Sequence, residues 1–133
     1  MSLVGTVALV VLIFIAYRYV MMFKVKLKKG KDAPELSGTY GKAVNSGDKA
    51  LFYFYSRECG ACKAMTPEVE ELSHRIKNCF LVDVRNDMVT PGVFGVMATP
   101  STVIVERGKI SEFLIGPQNQ QKLEGIMNTS ANA

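Results

Sequence analysis

Apolar and polar positions change rhythm several times along this chain. Leu3 to Tyr17 (LVGTVALVVLIFIAY) carries no charge, Arg18 interrupts, and Tyr19 to Phe23 (YVMMF) resumes the apolar run. Read through Arg18, the stretch is about 21 residues, or roughly 30 Å as a helix, which matches a bilayer core. Residues 24–34 are polar and basic, ending at Pro34, and a short helix is predicted around Tyr40 to Asn45. The run ALFYFYS (Ala50 to Ser56), bounded by SGDK and RECG, reads as a buried strand. From Gly60 to Lys77 the apolar residues Met65, Val69, Leu72 and Ile76 recur every three or four positions, which predicts a helix with Pro67 inside it. CFLVDV (Cys79 to Val84) is a second strand. A short helix or turn follows, broken at Pro91-Gly92. STVIVE (Ser101 to Glu106) and ISEFLI (Ile110 to Ile115) flank the turn Arg107-Gly108-Lys109 as a hairpin. Gln118 to Met127 closes the chain as an amphipathic helix. An α/β unit followed by a hairpin and a helix gives a mixed sheet with helices on both faces.

Charge divides the chain into three parts: residues 1–23 as a transmembrane anchor, 24–34 as a basic juxtamembrane linker, and 35–133 as a folded domain. Arg18 to Lys31 contains six basic residues and no acid, whereas Asp32 onward holds 10 Lys+Arg against 12 Asp+Glu, a net of −2. The overall charge of +4 therefore belongs to the juxtamembrane cluster. A nucleic-acid module, which carries its basic face on the folded domain, is disfavoured. Lys24, Lys26, Lys28, Lys29 and Lys31 suit anionic lipid headgroups instead. A cleaved signal peptide fits less well, because Met1 to Thr6 has no Lys or Arg and no small-x-small site follows the apolar run. A buried core helix would not be apolar on every face and then abruptly charged. Basic residues flanking only the C-terminal end of the span place the domain on the cytoplasmic side; an extracytoplasmic or periplasmic face is the alternative.

The candidate chemistry is in Cys59-Gly60-Ala61-Cys62. A structural zinc site needs four N or S ligands, and only Cys79 and His74 remain to supply them. Those two lie about 15 Å or more along the helix from Cys59. A static disulfide closing so small a loop would constrain little of the unfolded chain. Thiol–disulfide exchange fits best. The first cysteine of such a pair sits at a helix N-terminus, where free N–H groups and the dipole favour a thiolate, and the second sits one turn deeper. Cys79 reads as a small buried hydrophobe. His74, Glu68, Glu70 and Glu71 read as a solvated helix surface.

From Ala50 to Met127 the sequence resembles the thioredoxin superfamily. Cys59-Gly60-Ala61-Cys62 follows a buried strand, and Lys63 and Pro67 follow the second cysteine at the family's positions. Thr99-Pro100 stands before the third strand, Gly108 at the hairpin turn and Gly116 at the end of the last strand. The resemblance implies a thioredoxin-like fold with a four-stranded sheet, or a five-stranded one if a further strand precedes the first helix. It implies a thiol–disulfide oxidoreductase without a cofactor, working on protein thiols or disulfides and an upstream electron donor or acceptor. Cys59 would attack and Cys62 resolve. Pro100 would be cis, with Thr99 pairing its backbone with an extended substrate.

The sequence also departs from the family. Tyr53 occupies the place of a buried Asp, Glu58 that of a Trp, and Ala61 that of a Pro. Glu58 would raise the Cys59 pKa while Arg57 and Lys63 oppose it, and Tyr55 lies at the strand end facing the cysteines. The expected protein is a membrane-tethered oxidoreductase. The alternative is a binding, chaperone or assembly module that keeps the fold with little redox turnover.

Overall fold

β1 (Ala50–Tyr55) contains only apolar and aromatic side chains, and its first five residues are buried. A strand of that composition needs cover on both faces. In the computed structural model, which describes residues 2–129, β1 is central. β2 (Cys79–Asp83) pairs with it in parallel and β3 (Ser101–Glu106) antiparallel. β4 (Lys109–Ile115) extends β3 as a hairpin, giving a four-stranded sheet ordered β2-β1-β3-β4. The hairpin turns through Arg107 and Gly108, both at positive φ (54° and 74°).

Alternation along β1 builds two cores. Leu51 and Tyr53 face α3 (Gly60–Arg75) and α5 (Gln120–Asn128), packing with Met65, Val69, Leu72, Ile104 and Leu123. Phe52 and Phe54 face α2 (Gly38–Asn45) and α4 (Val89–Phe94), with Ala43, Val44, Val82, Val103 and Phe94. The Phe52 ring lies 5.1–5.4 Å from those of Tyr40, Phe80 and Phe94. Such aromatic pairs contribute about 0.5–1.5 kcal/mol each beyond area burial.

One helix differs from the sequence expectation. Pro91-Gly92 does not break α4: Pro91 sits in its first turn, where the missing N–H has no intrahelical acceptor. Asp87 accepts hydrogen bonds there from the Val89 and Thr90 N–H groups. The helix stops at Gly95, whose φ of 73° continues the chain left-handed.

α1 (Leu3–Lys28) begins at Ser2, whose hydroxyl accepts the Gly5 N–H. The stretch Leu3–Lys24, with mean hydropathy 2.2, is long and apolar enough to cross a membrane, and none of it is buried against the domain. The helix runs five residues beyond Phe23, because lysines are good helix formers and no glycine or proline intervenes before Gly30. Residues 29–33 then lie along the edge of β4. Gly30 N–H donates to Ile110 O (2.7 Å), Ile110 N–H to Lys31 O (2.8 Å) and Ala33 N–H to Gly108 O (2.8 Å). Lys29 reaches Glu112 (3.1 Å) and Lys109 reaches Asp32 (3.4 Å). This segment makes one antiparallel bridge, Asp32 with Lys109, rather than a fifth strand.

Candidate active site: the paired cysteines at the head of α3

β1 delivers the chain to the site. After Tyr55 the backbone turns, with Cys59 N–H donating to Ser56 O (3.1 Å) and Glu58 N–H to Ser56 Oγ (3.3 Å). Cys59 is the N-cap of α3, in extended geometry (φ −77°, ψ 115°). Its Sγ accepts the Cys62 N–H at 3.2 Å, as capping side-chain oxygens do for the first-turn N–H groups of other helices. The two sulfurs form a disulfide, with Cα atoms 5.2 Å apart. Cys59 is half-exposed and Cys62 is 1% exposed, so one sulfur faces solvent and its partner lies behind it.

The Thr99–Pro100 peptide is cis. Ser101, the next residue, pairs with Phe54 and with Ile115, so this turn lies at the same end of the sheet as Tyr55. Gly116 N–H donates to Pro100 O (2.8 Å) and Ser101 Oγ to Ala98 O (2.6 Å), fixing it from both sides. Pro100 is buried and Thr99 half-buried. Thr99 and Ser56 line an open groove of about 470 Å³ that also includes the exposed side chains of Met88 and Met97. A second cavity of about 270 Å³ is lined by Tyr55, Arg57, Cys62, Lys63 and Thr66. Tyr55 and Lys63 thus both flank Cys62.

One turn past Cys62, the buried face of α3 meets a hydroxyl of β1. Tyr53 is fully buried, and its hydroxyl lies 2.9 Å from Thr66 Oγ1, one turn after Cys62 on α3. Burial raises the Tyr53 pKa, the Thr66 bond opposing and the neighbouring Tyr55 adding to the rise. The Tyr55 ring stacks on Tyr53 (centroids 5.6 Å). Thr102, opposite Tyr53 across the β1–β3 ladder, is fully buried and its hydroxyl has no hydrogen-bond partner among the described residues.

The lip around Cys59 is charged. Glu58 is exposed and pairs with Arg85, and Arg57 Nε lies 3.6 Å from Asp83 Oδ2. Neither Asp83 nor Arg85 stands out in the sequence, because each is brought to the site by the parallel pairing of β2 with β1, which places Asp83 beside Tyr55. Thr66 was equally silent; its only signal is the four-residue step from Cys62.

Cys79 is not part of the site. It pairs with Leu51 at the opposite end of the sheet, is half-buried, and burial pushes its thiol pKa up to about 11. His74 is exposed near the far end of α3. Of the juxtamembrane lysines, Lys24 and Lys31 are exposed, Lys29 bonds Glu112, and Lys26 and Lys28 fall in the last turn of α1.

Residues 32–129 match the family model described as thioredoxin. The chain is 31% identical over 78 residues to a thioredoxin of Listeria monocytogenes, covering 56% of this chain and 76% of that protein. Among solved structures, a Fasciola hepatica thioredoxin superposes with a TM-score of 0.55 at 28% identity, covering 65% of this chain and 86% of that one. A mutant thioredoxin from Halobacterium salinarum shares the fold, with a TM-score of 0.58 at 24% identity over 69% of this chain and 84% of that one. With that match and a disulfide-forming pair capping α3, the chain belongs to the thioredoxin family and is a thiol–disulfide oxidoreductase.

Proposed function

We propose that this oxidoreductase is tethered to a membrane by α1 and exchanges disulfides with protein clients through Cys59 and Cys62. The observation that carries the reading is the asymmetry of the pair: a half-exposed sulfur that accepts an N–H at the head of a helix, with its partner buried one turn behind. Helix N-termini stabilise negative sulfur, and the thiolate is the attacking species.

In the reducing direction, the Cys59 thiolate attacks one sulfur of a client disulfide. A new S–S bond joins Cys59 to the client, and the other client sulfur leaves as a thiolate that takes a proton from water. Cys62 then loses its proton and attacks Cys59 Sγ. The client's second sulfur departs, two electrons have passed to the client, and the Cys59–Cys62 disulfide is closed. The cis turn at Thr99–Pro100 offers backbone for the client's extended segment in the groove that Thr99 and Ser56 line.

Support for the tether comes from the length, hydropathy and exposure of Leu3–Lys24. The basic cluster from Lys24 to Lys31 suits anionic headgroups, and its placement favours a cytoplasmic domain. Changing Cys62 to Ser is the direct test: it accumulates a Cys59–client mixed disulfide visible on non-reducing gels. A module that only docks would give no such adduct and no reduction of insulin. A C-terminal reporter active on one side of the membrane only fixes the orientation, and recovery of the full chain in the soluble fraction would remove the tether.

A further inference from the structure

Near Cys59 the sequence places charges of both signs, with Arg57 and Glu58 before it and Lys63 after Cys62. The fold sorts them. Glu58 receives the guanidinium of Arg85, which comes 27 residues later, and Arg57 is met by Asp83. Asp83 is itself held, accepting the Arg85 N–H at 3.0 Å, and its side chain is 9% exposed. The turn before α3 thus presents base then acid, and the last residue of β2 and the turn after it answer each with its opposite. The two pairs cancel. Among the described residues Lys63 has no ion-pair partner, so the charge left over at the head of α3 is positive, in the same sense as the helix N-terminus.

Other neighbouring elements add little charge. Tyr55 on β1 presents a phenol rather than a carboxylate or an ammonium, the loop from Gly95 to Thr99 carries no ionisable side chain, and the Asp87 carboxylate is taken up by the N–H groups of α4 and by Thr90. We infer that Arg85 is a positioning residue for the reaction. By holding the Glu58 carboxylate it stops a negative charge from opposing thiolate formation on the adjacent Cys59. This rests on Cys59 being the attacking thiol.

Reduced full-length protein, alkylated with iodoacetamide across a pH series with the modified cysteine mapped by mass spectrometry, tests it. Arg85→Ala should move the midpoint for Cys59 upward by about half a pH unit, roughly a threefold slower reaction below it, a modest effect because the pair is exposed. Arg85→Lys should restore most of the shift. In a Glu58→Gln background, Arg85→Ala should have no further effect, because the carboxylate it governs is gone. In 1 M salt the difference should vanish. An Arg85→Ala shift of the same size in the Glu58→Gln background overturns the inference, as does an unmoved midpoint in a variant whose melting temperature matches the parent. Alkylation falling on Cys62 instead of Cys59 would overturn the nucleophile assignment itself.

Discussion

Cys59 and Cys62 are three residues apart and sit in opposite surroundings. Cys59 lies at a lip of paired charges: Glu58 with Arg85, Arg57 with Asp83. Cys62 is buried, with Tyr53 bonded to Thr66 one turn further along α3 and Thr102 opposite Tyr53 across the ladder, and β1 supplies tyrosines rather than a carboxylate. The difference separates two tasks. Glu58, Arg57 and Arg85 at the lip are exposed to solvent, so an effect of theirs on the neighbouring sulfur would be small. Tyr53 and Thr102 are fully buried, so a charge introduced at either would cost folding free energy before it changed any chemistry.

Removing either sulfur breaks the comparison most severely. Cys59→Ser should abolish insulin reduction, by roughly a thousandfold or more, as losing a covalent nucleophile does. Cys62→Ser should stop turnover while leaving the first attack intact, and single-turnover kinetics separate the two. Next in size is Tyr53→Asp, which removes a buried ring and places a carboxyl in its position. Urea unfolding should show a loss of about 3–5 kcal/mol. Burial would raise that carboxyl's pKa, so its folded form prefers to stay protonated. The variant's stability should therefore be greater near pH 4 and fall as pH rises through the raised pKa.

Tyr53→Phe is gentler. It deletes only the hydroxyl shared with Thr66 and should cost about 1 kcal/mol in the same assay. The smallest effect near neutral pH belongs to Cys79. Its folded pKa of about 11 lies above the ordinary thiol value. The stability it contributes is full below about pH 8.5 and is lost as pH rises toward 11. Cys79→Ala should flatten that alkaline limb of the stability curve. At pH 8 native Cys79 should resist alkylation while Cys59 reacts.

Much of the fold was legible because burial writes itself into side-chain pattern. The run from Ala50 to Tyr55 is apolar at both parities, as a strand covered on both faces must be, and β3 has the boundaries its sequence predicts. The cysteine pair and the cis turn were legible through short motifs whose geometry is local. Arg85 and Asp83 were not, since nothing near either residue encodes a partner some 27 residues away. Pro91 misled because a proline breaks a helix only where an N–H is needed. The pairing of residues 29–33 with β4 left no trace in the sequence, because it is made largely by backbone groups that every residue but proline carries in full.

That backbone pairing changes how a tethered enzyme would search for clients. A slack connector would let the domain wander over a hemisphere set by chain length. Here Gly30, Lys31 and Ala33 are bonded to the hairpin immediately after α1 ends, so the domain rides on the helix like a flag on a stiff pole. With α1 in a bilayer, the height and heading of the exposed sulfur would follow helix tilt, and clients would have to present their disulfides within that narrow orbit.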